Sequence, residues 1–405
     1  MSTLRPQRSA SRRSSNVRPF RSAATQPQPP ATAVKTGRPD LGYIIALMML
    51  LSVGTIMVYS ATAAVQGADD VLRMVRMMAI GVPGLLVAAW LPLKFWRKAA
   101  PWLLVVCLAL LVSLLAKEHN PLAIKVYGAW RWIKVPFFGQ FQPSELAKLA
   151  FILFAARLLE KRGQRMDTGD WAAFLGVFGA LAAVIYKEPD LGTAMVLAGT
   201  AFCMLVAAGV RWSTLVKGIL VLAVVVGLLA WNTDHQRQRL LAWWNPWADE
   251  YKQETGYQVL QSWSAMSRGG LTGVGLGQSI HKLGDRLPEA ETDFIFAIVA
   301  EEMGLFRAMG VLVLFGFLSW RGFGIAARAP DRYSALIATG ITSWIAVQAS
   351  LNTAVVTGTV PNTGVPLPFI SSGGTSLVTL MGATGIMIGI SRLRRPSARE
   401  EAHSA

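Results

Sequence analysis

The chain has 405 residues, of which 53% are hydrophobic and only 15% are charged, and its mean hydropathy is +0.42. Apolar runs of about 20 residues, the length that spans a bilayer as a helix, recur along it. This composition predicts a polytopic membrane protein and excludes a soluble multidomain protein, whose charged surface the sequence lacks.

The two cysteines and the net charge of +16 limit the function further. Cys107 and Cys203 both fall inside apolar runs, so we expect neither a disulfide framework nor a metal cluster from them. A basic chain suggests nucleic acid, but much of the positive charge lies in the N-terminal tail and in short loops. That placement follows the positive-inside rule of membrane proteins and predicts no nucleic-acid partner.

Residues 1–40 are rich in Arg, Ser, Pro, Gln and Ala. This composition predicts a disordered, basic cytoplasmic tail, and no short apolar core follows the N-terminus directly, as a secretory signal requires. A ten-span membrane domain is predicted over 41–392, and 393–405 form a second cytoplasmic tail. The predicted spans are 41–65, 72–93, 99–116, 143–160, 171–187, 190–209, 213–231, 292–319, 331–356 and 373–391.

The distribution of Lys and Arg predicts the topology. With the N-terminus inside, every short cytoplasmic segment is basic, such as those around Lys94, Lys161, Arg211 and Arg328. An odd number of spans would place the two tails on opposite sides and break this agreement. The sequence therefore predicts an all-α, polytopic integral membrane protein with about ten transmembrane helices and both termini cytoplasmic. A large extracytoplasmic loop is expected between spans 7 and 8.

Three segments fall outside the membrane in this topology, 117–142, about 232–291 and 357–372. The second is so long that we expect it to be functional. The third contains three prolines and should be rigid and irregular, forming a wall of a water-filled cavity. The second carries six cations that fit either an anionic ligand, such as a diphosphate, or a solvated loop: Arg237, Arg239, Lys252, Arg268, Lys282 and Arg286.

The stretch Leu287–Gly304 runs from a polar loop into an apolar helix and carries five carboxylates. Asp293 lies where the helix begins, and Glu301 and Glu302 follow two turns later. Asp293 and Glu301 are then about 12 Å apart along the helix, too far to share a proton. An acid in the first turn can simply complement the helix macrodipole, but Asp293 is our candidate for acid–base chemistry. Glu301 and Glu302 are functional candidates because ionisable groups in membrane helices are costly.

Two further patterns lie at the predicted outer face. Glu145 and Lys148 are three residues apart at the start of the fourth span, so they share a helix face and can pair. The pair fits a routine helix-start salt bridge as well as a site. Arg131 lies between Trp130 and Trp132, which fits either an interfacial anchor or a phosphate contact.

Six motifs occur in order along the chain and resemble the SEDS family (shape, elongation, division and sporulation) of polytopic peptidoglycan glycosyltransferases. The resemblance covers about 41–392. It is closer to the division-type branch of the family, as indicated by the basic N-terminal extension, MVYSA at 57–61 and the sequence PEAETDFIF. The motifs are GAWRWI at 128–133, QPSELAK at 142–148, EPDLGT at 188–193, GYQVLQSWSAMSRGGLTGVGLG at 256–277, LPEAETDFIFAIVAEEMG at 287–304 and PNTGVPLPFISSGGTS at 361–376.

The resemblance implies a reaction. Lipid II, a disaccharide-pentapeptide on undecaprenyl diphosphate, would be polymerised through β-1,4 linkages with release of the lipid diphosphate. The family's essential Asp matches Asp293, whose implied role is general base toward the 4-hydroxyl of the acceptor. Our candidate substrate-binding residues are Glu145, Lys148, Trp130, Arg131, Arg239, Glu301, Ser371 and Ser372.

The sequence departs from the family's pattern at three places. Glu188 stands where Gln is common, Ser267-Arg268 replaces Gly-Ser, and Ser372 stands where Tyr is common. None of these departures touches Asp293. No residue cluster forms a dedicated metal site, although a diphosphate substrate could bring a divalent cation, Mg or Mn, with it.

The resemblance also implies partners and a location. These are a class B penicillin-binding protein of the FtsI type and other divisome proteins, in the bacterial cytoplasmic membrane at the division septum. No part of the chain resembles a transpeptidase domain, so crosslinking would come from the partner.

Two other functions fit polar groups inside a helical bundle. A lipid II flippase would move the substrate and never make polymer. A non-catalytic scaffold that recruits a transpeptidase would keep its function when Asp293 is replaced by Asn. An ion channel is disfavoured because the sequence has no recognisable filter loop or charge ring.

Overall fold

The computed structural model describes residues 35–62, 69–116, 120–126, 129–135, 139–162, 166–251, 256–283 and 286–394. Residues 1–34 and 395–405 of the two predicted tails lie outside this part of the chain. The helices are α1 (Leu41–Thr62), α2 (Asp69–Trp90), α3 (Leu93–Leu114), α4 (Pro143–Arg162), α5 (Thr168–Lys187), α6 (Leu191–Ala207), α7 (Trp212–Asn232), α8 (Asp234–Trp244), α9 (Tyr257–Gly269), α10 (Ile295–Arg328), α11 (Arg332–Val356) and α12 (Gly374–Ser391).

Each of the ten predicted spans coincides with a long helix, α1 to α7 and α10 to α12. Seven of these helices are long and apolar enough to cross a membrane within the described residues, namely α1, α2, α3, α5, α10, α11 and α12. Helices α6 and α7 are shorter apolar candidates. The prediction of a mostly helical, membrane-spanning fold is confirmed, while the count of ten spans stays a prediction.

Helix α4 lies at the centre of the bundle, which explains its lower hydropathy. It packs against α3, α5, α6, α11 and α12. The apolar residues of its middle, from Leu149 to Ala156, are almost all buried. A helix that contacts protein instead of lipid can carry charged groups if they are paired.

The peripheral helices expose large apolar side chains. On α7, Leu220, Val221, Val224 and Leu228 are all more than half exposed. Apolar surface of this extent is unfavourable in water and favourable against lipid tails. The outer faces of these helices therefore face the bilayer.

The structure adds elements to the predicted all-α fold. Strands β2 (Ala123–Val126), β3 (Ala129–Val135) and β4 (Gly139–Phe141) form an antiparallel sheet in the first outer segment. A second pair joins β1 (Lys35–Thr36) to β5 (Leu393–Arg394). The sheet is too short to give a strong alternating pattern, so sequence reasoning read this segment as a loop. The long outer loop also contains two helices, α8 and α9.

Helix α10 is interrupted at Gly304, whose φ of 78° and ψ of 171° are not helical. The loop after α9 supplies partners for the peptide groups at the break. The N–H groups of residues 274–275 donate to the carbonyls of residues 301–302 at 3.0 and 3.1 Å. The N–H groups of residues 305–306 donate to the carbonyls of residues 270–271 at 2.9 and 3.3 Å. The break and the loop therefore stabilise each other.

Replacement of Gly304 by Ala is expected to destabilise the protein. A Cβ at this position would overlap the backbone of Thr272 and Gly273. The positive φ adds strain of about 1–3 kcal/mol for a residue other than glycine. We expect the melting temperature in detergent, followed by intrinsic fluorescence, to fall by several degrees.

The matched control is Gly310→Ala in the same helix. A Cβ on Gly310 meets nothing within 4 Å. Alanine favours a helix over glycine by about 1 kcal/mol, so the melting temperature should stay the same or rise. Equal melting temperatures for the two variants would contradict this account of the break.

Candidate active site

Asp293 lies in a tight turn that leads through Phe294 into α10. The carbonyl of Glu289 accepts hydrogen bonds from the N–H groups of Thr292 and Phe294 at 3.2 and 3.0 Å. The Asp293 side chain is half-buried and faces the backbone of Gly364. A Cβ on Gly364 would lie 3.4 Å from Asp293 Oδ2. Gly364 has a φ of 68°, so glycine fits both the close approach and the backbone conformation.

Two amide side chains of α11 hold the third outer segment against this turn. Asn352 Nδ2 donates to the carbonyls of Asp293 and Val365 at 2.7 and 2.8 Å. Gln348, one turn earlier on the same face, donates through Nε2 to the carbonyl of Pro366 at 3.0 Å. The prediction of an irregular third segment is confirmed, since 357–373 contain no helix or strand.

Ser371 and Ser372 support the turn through hydrogen bonds. Ser371 Oγ donates to the carbonyl of Thr292 and accepts from the N–H of Leu367, at 2.6 and 2.7 Å. The N–H of Ser372 donates to the carbonyl of Glu291 at 2.9 Å. The Ser371 hydroxyl is thus occupied inside the protein and positions the turn.

The environment of Asp293 makes its carboxyl weakly acidic. Burial, followed by repulsion from Glu289 and Asp190, raises the pKa of Asp293 to about 7, and Arg239 and Arg131 oppose this rise. Among the described residues no group donates a hydrogen bond to the Asp293 carboxyl. A group with a pKa near 7 and free oxygens can exchange protons with a ligand at neutral pH.

Arg131 connects the small sheet to the turn between α5 and α6. It lies on β3, and its Nε and Nη2 donate to the carbonyls of Glu188 and Pro189, both at 2.6 Å. Its charge also acts on Asp293. Trp130 precedes it on the same strand, and because neighbouring strand residues project to opposite faces, it does not share the face of Arg131.

Arg239 is the cation of the long outer segment that acts on Asp293. It lies on α8, is half-buried, and donates through Nη1 to the carbonyl of Asn362 at 3.3 Å. Asn362 Nδ2 in turn donates to Gln258 Oε1 of α9 at 2.6 Å. Helices α8 and α9 thus also hold the third outer segment, through Asn362.

Glu145 and Lys148 form an ion pair of 2.7 Å in which each side chain is only 3% exposed. Lys148 Nζ also donates to Gln348 Oε1 at 3.1 Å and lies 5.0 Å from the centre of the Trp344 ring. Gln348 connects this pair to the backbone of Pro366. The pair therefore supports the third outer segment, which forms the wall of the site beside Asp293, through Gln348.

Glu301 is fully buried and saturated with hydrogen bonds. Its Oε1 accepts from Arg268 Nη1 at 2.7 Å and from the N–H of Ile280 at 3.3 Å, and it lies 3.0 Å from His281 Nδ1. Ser279 Oγ donates to its Oε2. The carboxylate holds the loop after α9 against α10.

The neighbouring Glu302 carboxylate also holds this loop against α10. It accepts from Lys282 Nζ at 2.8 Å and from Ser60 Oγ of α1 at 2.6 Å. Arg268 and Lys282, two cations that sequence reasoning considered for an anionic ligand, are the internal counter-ions of Glu301 and Glu302. We refer to these contacts as the Glu301–Glu302 clamp.

The described residues contain no group of three or more His, Cys, Asp or Glu side chains that could hold a metal ion. That a diphosphate substrate could bring a divalent cation with it stays a prediction.

Comparison with known proteins places this arrangement in a family. The sequence profile named FtsW, RodA and SpoVE, described as a cell cycle protein, matches residues 41–396. The chain belongs to this family. The match spans the whole set of predicted membrane helices and confirms the SEDS resemblance.

Several relatives match this chain over nearly their full length. Stage V sporulation protein E of Bacillus subtilis is 39% identical over 373 residues, which are 90% of this chain and 100% of that protein. A protein of Geobacter metallireducens named "Probable peptidoglycan glycosyltransferase FtsW" is 36% identical over 363 residues, 87% of this chain and 95% of its own.

Solved structures agree with the fold. A chain from a study of polymerization and crosslinking by a peptidoglycan synthase complex matches with a TM-score of 0.72 at 26% identity, covering 87% of this chain and 98% of that chain. The rod shape determining protein RodA of Thermus thermophilus matches with a TM-score of 0.65 at 23% identity, covering 87% and 97%. The second likeness shows the shared fold.

The structure brings three of the candidate residues together, Asp293, Arg131 and Arg239. The other candidates support this group or lie apart from it, as described above. Sequence reasoning missed Gln348 and Asn352, the two amides that hold the wall of the site. Polar amides four residues apart in an otherwise apolar span are the signal that could have found them.

The buried ion pair gives a testable prediction. Lys148→Met leaves the Glu145 carboxylate buried without its counter-ion, a change that costs about 3–5 kcal/mol in comparable pairs. We expect a clear drop in melting temperature in detergent. The double variant Glu145→Gln/Lys148→Met removes both charges and should recover part of the loss; a double variant less stable than either single one would contradict the pairing.

Proposed function

We propose that this chain is a peptidoglycan glycosyltransferase that polymerises lipid II into β-1,4-linked glycan strands. The observation that carries the proposal is the Asp293 carboxyl. It has a pKa of about 7, free oxygens, and the charges of Arg239 and Arg131 acting on it. Family membership and the relatives named peptidoglycan glycosyltransferases support it.

The proposed step uses Asp293 as a general base. The 4-hydroxyl of the acceptor sugar attacks the anomeric carbon of the donor, and Asp293 takes the hydroxyl proton as the new C–O bond forms. The bond from the anomeric carbon to the diphosphate oxygen breaks, and the diphosphate leaves with the bonding electrons. A base with a pKa near the working pH is both ionised often enough and basic enough for this transfer.

The guanidinium groups of Arg239 and Arg131 are suited to stabilise the leaving diphosphate. Arginine has five N–H donors in a planar fork that matches phosphate oxygens. The described contacts of Arg131 use two of its nitrogens, and those of Arg239 use one. One base is sufficient because a diphosphate held by cations leaves without protonation.

The same proposal includes partners and location. The chain would work with a class B penicillin-binding protein of the FtsI type and other divisome proteins at the septal membrane. The relatives named FtsW and the match to a chain of a peptidoglycan synthase complex support this. Basic residues at the predicted inner loop ends support cytoplasmic termini.

The first test is Asp293→Asn. Asparagine keeps the shape of the side chain but cannot accept the proton, so polymerisation of lipid II should fall by about 10²–10⁴-fold. The assay uses the purified full chain in liposomes with its cognate penicillin-binding protein, and glycan products are separated on gels. Asp249→Asn, which changes an exposed acid of the outer segment, is the control and should keep wild-type activity.

The outcomes separate the alternatives. Equal polymer from wild type and Asp293→Asn would remove Asp293 as the base and keep the activity. Absence of polymer from a folded wild type that binds its partner would overturn the glycosyltransferase proposal in favour of the flippase or the scaffold. Fluorescence melting curves of each variant confirm that the proteins compared are folded.

The pH profile tests the electrostatics of the site. In wild type, the rate should rise through about pH 7 as Asp293 loses its proton. Arg239 lowers the pKa of Asp293, so Arg239→Gln should raise it and move this acidic limb to higher pH. Arg237→Gln removes an exposed charge from the same helix and should leave the limb in place; a limb that moves to lower pH in Arg239→Gln would contradict the assignment.

A further inference from the structure

Glu188 is a buried carboxyl that the proposed mechanism leaves unused. It follows the last residue of α5 and is only 3% exposed. Its Oε1 and Oε2 are both shielded from solvent, and neither has a hydrogen-bond partner among the described residues. A carboxylate in this position would lack both water and donors, which is strongly unfavourable. The neutral acid is the form that fits the site.

The charged groups that act on Glu188 are Arg131 and Asp190, and neither binds its carboxyl. Arg131 uses Nε and Nη2 for the backbone carbonyls of the turn, at 2.6 Å each. Asp190 accepts from the N–H and Oγ1 of Thr193 and from Gln142 Nε2, at 3.0, 2.9 and 3.0 Å. Burial, followed by Asp190, raises the pKa of Glu188 to about 9, and Arg131 opposes this rise.

The Glu188 turn (188–190) borders the Asp293 site. A Cβ on Gly192, at the start of α6, would overlap Val365 and the carbonyl of Thr363, so the two segments are in direct contact. Gly364, which lies between Thr363 and Val365 in the chain, is beside the Asp293 carboxyl. A change in the Glu188 turn therefore acts on the third outer segment by contact. It also moves Arg131, which the turn binds, and so changes the electrostatic environment of Asp293.

We propose that Glu188 is a positioning residue that works in its protonated form, keeping the Glu188 turn packed so that the turn holds Arg131 within range of Asp293. Loss of the proton to solvent leaves a buried negative charge beside Asp190. The turn then opens to hydrate that charge, and the carbonyls that bind Arg131 move with it. This inference deepens the proposed function and rests on it for the activity measurement, while a stability measurement tests it independently.

The activity test compares wild type with Glu188→Gln at pH 8 and pH 10. Glutamine has almost the same shape and cannot ionise. With a pKa of about 9, the protonated fraction of Glu188, and with it the wild-type rate, should fall to about a tenth between these pH values. Glu188→Gln should keep a similar rate at both. The same alkaline loss in Glu188→Gln would overturn the proposal.

The matched control is Glu160→Gln. Glu160 lies near the C-terminal end of α4, where its carboxylate pairs with Arg97 at 2.7 Å. This variant makes the same chemical change away from the turn and should retain the alkaline loss of wild type. If Glu160→Gln abolished that loss as well, the effect would not belong to Glu188 and the proposal would be overturned.

The stability test does not need polymerisation. A carboxyl whose folded pKa is raised from 4.5 to about 9 stabilises the fold below the lower value, and that contribution is lost as the pH rises to the higher one. The melting temperature of Glu188→Gln minus that of wild type should therefore increase from pH 5 to pH 9 and then level off. A constant difference would overturn the proposal. If wild type made no polymer but this difference increased, the proposed function would fail while the protonated state of Glu188 would stand.

Discussion

Backbone that leaves a helix near a membrane must find its hydrogen-bond partners inside the protein, and this requirement shapes the whole candidate site. The third outer segment, 357–373, meets it through the side chains of Gln348, Asn352 and Ser371. The break in α10 meets it through the backbone of residues 270–275. Since lipid offers no substitute partners, each of these contacts also fixes a position.

The same requirement divides the buried carboxylates into two kinds. Glu301 and Glu302 accept hydrogen bonds from the end of α9 and from the loop after it, so their oxygens are occupied inside the protein. Asp293 is influenced by charges but accepts no hydrogen bond at its carboxyl within the described chain. Its oxygens are therefore available to a ligand proton. The clamp holds the first part of α10, the helix that Asp293 precedes.

Sequence reasoning predicted the helices well because apolar runs of bilayer length leave little choice of structure. It identified Asp293 and its position at a helix start, and it proposed the pairing of Glu145 with Lys148. It did not find the partners of Glu301, because these come from the end of α9 and the irregular loop after it, about 20 to 33 residues earlier, and no periodic pattern reveals the path of that loop. The small sheet was not predicted for a similar reason, since three strands of three to seven residues give too few alternations of apolar and polar residues.

The position of Asp293 follows from the two ends of one short helical unit. Residues 295–303 of α10 are separated from the rest of that helix by Gly304. At one end, Asn352 and Ser371 bind the carbonyls of Asp293 and Thr292. At the other, the Glu301–Glu302 clamp binds the loop. A unit fixed at both ends cannot slide along its axis, so motions of the lipid-facing part of α10 beyond the break need not displace the carboxyl. The glycine break thus separates the lipid-facing part of the helix from the part that directly follows Asp293.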